Sequence, residues 1–196
     1  MAHEQGAAHA ADAYGTVSGK PGVAMATSGP GATNLVTGLA DANLDSDPLV
    51  ALTGQVSSDM VGNDAFQETN TMGITAPVTK ANYFATDPDT VGDDVGTALA
   101  LAIQGPILVD LPKDVTQGET TDPVVRAAVP DRYDVPPNEA DPATVASAAQ
   151  ALSEAERPVI LAGGGVIKGN ASQQLRRLAM EYDLPVVTTM CGLGSF

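Results

Sequence analysis

The segment HEQGAAHAADAYG places a carboxylate, Glu4, at the start of an alanine-rich run that is predicted to be helical. A carboxylate held near a weakly basic nitrogen can bind or move a proton, which is the work of a general acid or base. A glutamate in the first turn of a helix can also simply offset the positive end of the helix dipole. The residue alone leaves both interpretations open, so the motifs around it must decide.

Two glycine-rich turns could hold a ligand. TSGPGATN, from Thr27 to Asn34, follows an apolar run and precedes a helical pattern, and the triplet Gly163, Gly164 and Gly165 has the same setting later in the chain. Glycines let the backbone approach a ligand closely, and the N-terminus of the next helix can face an anion or a polar ring. Neither turn has the Walker or the GxGxxG pattern. A structural tight turn therefore remains an alternative at each place.

Other chemistries have little support among the residue types present. His3 and His9 are the only histidines and no Cys/His cluster exists, so no metal site is predicted. No GxSxG elbow is present for a serine hydrolase. Lys113, in LPKDV, is interpreted as a surface residue at a strand end. Cys191, the only cysteine, is interpreted as a packed small residue and not as a nucleophile.

The composition limits the class of partner. Acidic residues outnumber basic residues 24 to 9, a formal net charge of -15. This charge would repel a phosphate backbone, so neither nucleic-acid binding nor a basic membrane anchor is expected. Acidity spread along the chain fits a salt-loving (halophilic) source or an ordinary acidic cytosolic protein. A single cysteine, no long apolar run and no signal-peptide pattern together predict a soluble, cytoplasmic protein.

The first part of the chain has the pattern of an α/β domain. Asp64 is predicted to cap a helix that carries AFQETNTMG. Continuous apolar runs, as opposed to alternating ones, are typical of strands buried on both faces of a parallel sheet. We therefore predict a parallel-sheet domain over residues 1–118. Its other predicted elements are helices over 4–17, 32–44 and 90–103 and strands over 22–27, 48–53, 82–85 and 106–111.

A second α/β pattern follows a break in composition. Residues 119–141 are rich in proline and polar residues and are predicted to form a linker. Residues 142–196 are predicted to be the start of a second, Rossmann-like domain, and we expect it to be truncated because two strands and two helices cannot cover a sheet. Its predicted elements are helices over 142–156 and 171–182 and strands over 158–162 and 184–189.

Eight segments occur in one collinear order along the chain: HEQGAAHAADAYG, GKPGVAMATSGPGATNLVTGLADA, PLVALTGQV, DAFQETNTMGIT, TKANYF, GPILVDLPKDV, PVILAGGGV and LPVVTTMCGLGSF. Together they closely resemble the catalytic subunits of the acetolactate synthase (acetohydroxyacid synthase) family, which depend on thiamine diphosphate. The resemblance implies a pyrimidine-binding domain whose N-terminal strands are missing, followed by the start of an FAD-binding-like central domain. It also implies that the strand over 22–27 forms an exposed apolar edge.

The resemblance assigns roles to residues of the first domain. Glu4 matches the glutamate that hydrogen-bonds N1′ of the aminopyrimidine ring, which makes it both a catalytic and a cofactor-binding residue. Pro30 and Asn34 match the loop near the pyrimidine. Phe66 and Gln67 match the substrate side of the site, where an aromatic ring can exclude water and an amide can orient the oxygens of an oxo acid, so Gln67 is also predicted to be catalytic.

In the second domain, Gly163, Gly164 and Gly165, with Thr189 and Met190, match positions that the family uses around FAD, so FAD is a possible cofactor. The ligands of the Mg²⁺ ion that accompanies thiamine diphosphate are expected in a C-terminal domain that this chain lacks.

The implied reaction is the first step of branched-chain amino-acid biosynthesis, which leads to valine and isoleucine. Pyruvate is decarboxylated and joined to a second 2-oxo acid, pyruvate or 2-oxobutyrate, to give acetolactate or acetohydroxybutyrate. The family works as a homodimer or tetramer with a possible regulatory small subunit, so the isolated chain is expected to be inactive. The alternatives are a non-catalytic truncated product or interaction module, and a sibling enzyme such as pyruvate oxidase. Glu4 argues against glyoxylate carboligase, which lacks this glutamate.

Overall fold

The computed structural model describes residues 1–121 and 140–196. The chain divides into two compact units, Met1–Tyr133 and Asp134–Phe196, and each is described by itself. Most of the linker predicted over 119–141 lies outside the described residues.

The first unit is built on a parallel sheet with the strand order β1-β2-β4-β3. The α/β parallel-sheet class predicted from continuous apolar runs is therefore confirmed. The strands are β1 (Gly22–Ala26), β2 (Leu49–Gln55), β3 (Ala81–Phe84) and β4 (Ile107–Pro112). The helices are α1 (Glu4–Ser18), α2 (Pro30–Asn34), α3 (Val36–Asp45), α4 (Thr71–Thr75), α5 (Val91–Leu101) and α6 (Lys113–Gln117), with short 3₁₀ turns at Ser58–Met60, Ala76–Val78 and Ala102–Gln104.

Helices cover both faces of this sheet. Helices α1 and α3 pack on one face, where Leu35 and Leu39 are fully buried. Helix α5 packs on the other face, over the fully buried Ile107 and Val109 of β4. Burying one such side chain contributes about 1.5–3 kcal/mol, so the sheet has a substantial core on each side.

Close packing between α1 and α3 fixes the position of α1. A Cβ placed on Gly38 of α3 would stand only 2.5 Å from the Cβ of Ala8, so glycine is what permits the two helices to approach. His3 caps the N-terminus of α1, because its Nδ1 accepts a hydrogen bond from the Gln5 N–H at 3.1 Å. The packing and the cap together position Glu4, the first residue of the helix.

Strand β1 lies at one edge of the described sheet and pairs only with β2. The edge position predicted for this strand is confirmed. Its Val23 and Met25 side chains are 52% and 68% exposed, while the residues that alternate with them face α1 and α3.

Two helices differ from those predicted. The helix predicted over 32–44 is present as α2 and α3, which meet at Leu35. The helix predicted after Asp64 is wrong, because Asp64 has a left-handed backbone (φ 54°) and the chain continues as turns. The helix begins later, at α4, where Asn70 Oδ1 accepts a hydrogen bond from the Gly73 N–H at 2.9 Å.

The second unit contains the helices and the two strands that the sequence predicts, and β5 pairs with β6 in parallel. No residue of its first helix is buried. The domain limits 1–118 and 142–196 remain predictions. None of the helices in the two described ranges has the length and apolar character needed to cross a membrane. The elements are α7 (Pro142–Glu154), β5 (Ile160–Ala162), α8 (Gly165–Lys168), α9 (Ser172–Glu181) and β6 (Val186–Thr188), with a 3₁₀ turn at Met190–Gly192.

Candidate functional site

A cleft of about 540 Å³ opens at the carboxyl ends of β1, β2 and β4. Parallel strands end at the same edge of a sheet, so the turns that follow them converge there, which is where ligands bind in open α/β folds. The cleft is lined by these strand ends, by residues of the segment 56–60, and by Ala65, Phe66 and Lys113.

Glu4 and Asn34 are brought together by the packing of α1 against α2. Asn34 Nδ2 donates a hydrogen bond of 3.1 Å to Glu4 Oε2. This hydrogen bond, with one from the backbone N–H at the start of α1 and the nearby charge of His3, holds the pKa of Glu4 below its ordinary value. Glu4 is therefore an ionised acceptor at neutral pH.

The Glu4 carboxylate adjoins the main cleft. It borders a neighbouring cavity of about 400 Å³, and both cavities are lined by Met25, Ala26 and Thr27. A Cβ on Gly31 would stand 3.6 Å from Glu4 Oε1, so the TSGPGATN turn lies against the carboxylate.

The glycine-rich turn and the loop after β2 touch at Gly29. This glycine has a left-handed backbone (φ 59°), and a Cβ on it would stand 2.7 Å from the carbonyl oxygen of Gln67. Pro30 follows as the first residue of α2 and is exposed. The structure thus brings the turn that carries Pro30 and Asn34 into contact with the loop that carries Gln67.

Glu68 closes part of the loop after β2 into a turn, because its side chain binds backbone groups earlier in the same loop. Its carboxylate accepts hydrogen bonds from the N–H groups of Gly62 and Ala65, the latter at 2.9 Å, and these bonds hold its pKa below the ordinary value. Inside this closure Gln67 has a left-handed backbone (φ 60°) and an exposed side chain. Phe66 lines the cleft and is 88% exposed. The loop therefore displays both predicted substrate residues at the surface.

A buried polar network beneath the cleft was not anticipated by the sequence analysis. Asp110 on β4 is fully buried, and Thr53 Oγ1 donates to its Oδ1 at 2.7 Å. Gln55 Nε2 donates to Asp110 Oδ2 at 3.0 Å and to the carbonyl oxygen of Thr69 at 2.8 Å. Through Gln55 the network ties the carboxyl ends of β2 and β4 to the end of the Phe66–Gln67 loop.

Burial raises the pKa of Asp110, and the hydrogen bonds from Thr53 and Gln55 partly offset that effect. A signal was present in the sequence, because PILVDL places one carboxylate inside an otherwise apolar run. A buried carboxylate needs donors, which could have directed attention to the neighbouring strand.

Lys113 is exposed, as predicted, and it also lines the cleft. It is the only charged residue among the described residues that line it, so the mouth of the cleft has a positive group. The adjacent Asp114 accepts hydrogen bonds from the Ser58 N–H and hydroxyl at 2.9 and 3.1 Å, which anchors the first part of the loop after β2.

In the second unit, the predicted FAD positions meet at the carboxyl ends of β5 and β6. A Cβ on Gly163 would stand 3.7 Å from Thr189 Oγ1, and a Cβ on Gly164 would stand 3.0 Å from the carbonyl oxygen of Cys191. Gly165 begins α8, and Met190 is 83% exposed in the 3₁₀ turn.

The packed position predicted for Cys191 is wrong, because this residue is exposed in the 3₁₀ turn after β6.

Two family comparisons match separate parts of the chain. Residues 1–74 match the family described as "Thiamine pyrophosphate enzyme, N-terminal TPP binding domain". Residues 145–196 match the family described as "Thiamine pyrophosphate enzyme, central domain". The order of the two matches is that of the two units.

Individual relatives are similar over nearly the whole chain. An acetolactate synthase large subunit of Corynebacterium glutamicum is 49% identical over 201 residues, which cover 99% of this chain and 31% of the relative. A probable acetolactate synthase large subunit of Methanocaldococcus jannaschii is 46% identical over 201 residues, which cover 99% of this chain and 34% of the relative. An acetolactate synthase of Mycobacterium bovis is 48% identical over 205 residues, which cover 99% of this chain and 32% of the relative. The chain thus spans about a third of the length of the curated relatives it matches.

Proposed function

We propose that the chain belongs to the thiamine pyrophosphate enzymes and supplies the pyrimidine-binding side of an acetolactate synthase catalytic subunit. In this proposal the complete enzyme decarboxylates pyruvate and joins the product to pyruvate or 2-oxobutyrate, yielding acetolactate or acetohydroxybutyrate for valine and isoleucine synthesis. Similarity over nearly the whole chain supports the reaction. The main structural support for a pyrimidine-binding role is the hydrogen bond between Asn34 and Glu4.

The residues around Glu4 fit the aminopyrimidine ring of thiamine diphosphate. Glu4 is partly buried, is kept ionised by Asn34, and borders a cavity with the apolar Met25 and Ala26 in its wall. Glu4 is proposed to accept a hydrogen bond from the ring nitrogen N1′ and to hold a proton at that atom. When bound, the cofactor supplies the electron sink that decarboxylation of a 2-oxo acid requires.

The rest of the cleft is proposed to handle the substrate. Phe66 would exclude water from the reacting carbon, and Gln67 would orient the oxygens of the oxo acid. The positive charge of Lys113 at the cleft suits a substrate that carries a carboxylate. Pro30 and the backbone of Gly29 would form the part of the wall next to the ring.

Further cofactors and partners are part of the same proposal. FAD, where it binds, would contact Gly163, Gly164, Gly165, Thr189 and Met190. The Mg²⁺ ligands would lie outside this chain. The enzyme would be a cytoplasmic homodimer or tetramer with a possible regulatory small subunit.

The test is an assay of the polypeptide as its source cells make it, identified by a peptide containing Glu4 and by its intact mass. We expect acetolactate to form from pyruvate in the presence of thiamine diphosphate and Mg²⁺. Glu4→Gln should lower kcat by about 10²–10⁴-fold, because the amide cannot hold the proton. Glu119→Gln, at an exposed glutamate outside the cleft, is the matched control and should change kcat little.

Other results would assign another function. Acetyl phosphate and hydrogen peroxide in place of acetolactate would indicate a sibling oxidase. No product, combined with thiamine diphosphate binding that is absent or unaffected by Glu4→Gln, would contradict the proposal and favour a non-catalytic interaction module.

A further inference from the structure

Away from the cleft, the packing of α1 against α3 gathers three side chains that can ligate metal. His9 and Asp12 lie on α1, and Asp41 lies on α3. One possible ligand atom from each residue lies within 4.8 Å of the others. His9 Nδ1 and Asp41 Oδ2 are 3.5 Å apart.

A second observation concerns Asp12 itself. Its exposed fraction is only 9%, yet its Oδ1 has no hydrogen-bond partner within the described ranges. The buried Asp47 and the exposed Asp41 add negative charge around it. Burial, followed by the charges of Asp47 and Asp41 and a side-chain hydrogen bond with Asp47, raises the pKa of Asp12 to about 6. A buried carboxylate oxygen without a donor is costly unless a cation or a proton compensates it.

We propose that His9, Asp12 and Asp41 bind one divalent zinc-class metal ion that ties α1 to α3. An imidazole nitrogen with two carboxylate oxygens is a ligand set that suits Zn²⁺, whereas Mg²⁺ and Ca²⁺ prefer oxygen ligands alone. Three protein ligands leave the fourth position of a tetrahedral ion to water. The ion would neutralise the carboxylates that now face each other and would hold the helix that begins at Glu4.

This site departs from the sequence-based prediction that the chain has no metal site. That prediction rested on the lack of clustered cysteine and histidine residues. Asp41 joins His9 and Asp12 only through the helix packing that Gly38 permits. The inference stands independently of the proposed catalytic function, because none of the three ligands lines the cleft or borders the cavity at Glu4.

The competing explanation needs no metal. Asp12 and Asp47 could share a proton, and His9 could form a simple ion pair with Asp41. The two explanations differ in what added metal does, so a titration of the metal-free protein separates them.

The experiment is a Zn²⁺ titration of protein stripped with a chelator, followed by NMR of the histidine ring protons. The chain has two histidines, so His3 serves as an internal reference for His9. We expect Zn²⁺, but not Mg²⁺, to shift the His9 signals and to raise the melting temperature. Binding of Co²⁺ should give visible absorption bands that Zn²⁺ abolishes.

Two variants test the ligands. His9→Gln and Asp12→Asn should each weaken Zn²⁺ binding by at least about tenfold, the loss typical of disturbing a metal site. Asp94→Asn is the matched control, because Asp94 is a partly buried carboxylate on α5, across the sheet, whose pKa is also raised by burial. No Zn²⁺ binding, equal shifts at His3 and His9, or affinity unchanged in His9→Gln or Asp12→Asn would overturn the proposal.

Discussion

The glycine-rich turns of the two units share one sequence pattern but differ in how closely other segments approach them. In the first unit, a Cβ on Gly29 would stand 2.7 Å from the carbonyl oxygen of Gln67. In the second unit, a Cβ on Gly164 would stand 3.0 Å from the carbonyl oxygen of Cys191, and a Cβ on Gly165 would meet nothing within 4 Å. Both turns join a strand to a helix, so the strand-turn-helix pattern does not account for the difference.

The difference lies in what surrounds each turn. In the first unit, α1 brings Glu4 and the loop after β2 brings Gln67, and the buried Asp110 network supports that loop. In the described part of the second unit, the neighbour of the turn is the 3₁₀ segment near Cys191. A glycine-rich turn therefore becomes a crowded site only where distant segments pack onto it.

The largest effect is expected from breaking the support beneath the first turn. Asp110→Asn would place an amide donor among the donors of Thr53 and Gln55, leaving buried groups unpaired. We expect the free energy of unfolding to fall by about 2–3 kcal/mol. Urea unfolding followed by circular dichroism measures it. Asp59→Asn, at an exposed carboxylate of the loop after β2, should change it by less than about 0.5 kcal/mol. Equal stability of Asp110→Asn and the parent would show that the network is not needed.

A direct comparison of the two turns should give an intermediate effect. Gly29→Ala forces an alanine into a left-handed backbone and against the Gln67 carbonyl, so it should destabilise by about 1–3 kcal/mol. Gly165→Ala adds a methyl group in open space at the start of α8 and should be neutral or stabilise by about 0.4–1 kcal/mol. The same urea measurement serves both variants. Similar losses in the two variants would remove the contrast between the turns.

The smallest effect is a pH dependence in the loop that touches the first turn. The folded-state pKa of Glu68 lies below the ordinary 4.5, so its hydrogen bonds contribute above that pH and are lost as the pH falls through the lowered value. The amide proton shifts of Gly62 and Ala65 should therefore titrate together, with a midpoint below 4.5. In Glu68→Gln this transition should vanish. A midpoint at or above 4.5 would mean that the closure is absent in solution.

Much of the fold follows from sequence patterns that are local. The strands were predictable because continuous apolar runs such as PLVALT and PILVDL must be buried on both faces. The helix assigned after Asp64 failed because the left-handed backbone at Asp64 and Gln67 arises from contacts with Glu68 and Gly29. The contact between Gly29 and Gln67 joins segments that no local pattern connects.

The site was predictable only in part, for the same reason. Spacing could not show that Asn34 would reach Glu4, and resemblance alone placed both near one ring. The sequence analysis did not predict the Asp110 network, because a carboxylate inside an apolar run does not reveal which strand supplies its hydrogen-bond donors. The roles of Glu4, Phe66, Gln67 and the second-unit residues remain predictions for the assay to test.

The position of β4 between β2 and β3 has a consequence for how the chain is assembled during synthesis. Both neighbours emerge from the ribosome earlier, and β3 pairs with no described strand other than β4. The bond between Thr53 and Asp110 closes a separation of 57 residues. Completion of the sheet therefore waits for a late, non-local pairing, which slows folding. Until β4 is complete, the edges of β2 and β3 that it will cover stay open and the cleft is unfinished, and this interval is when a chaperone would have most to bind.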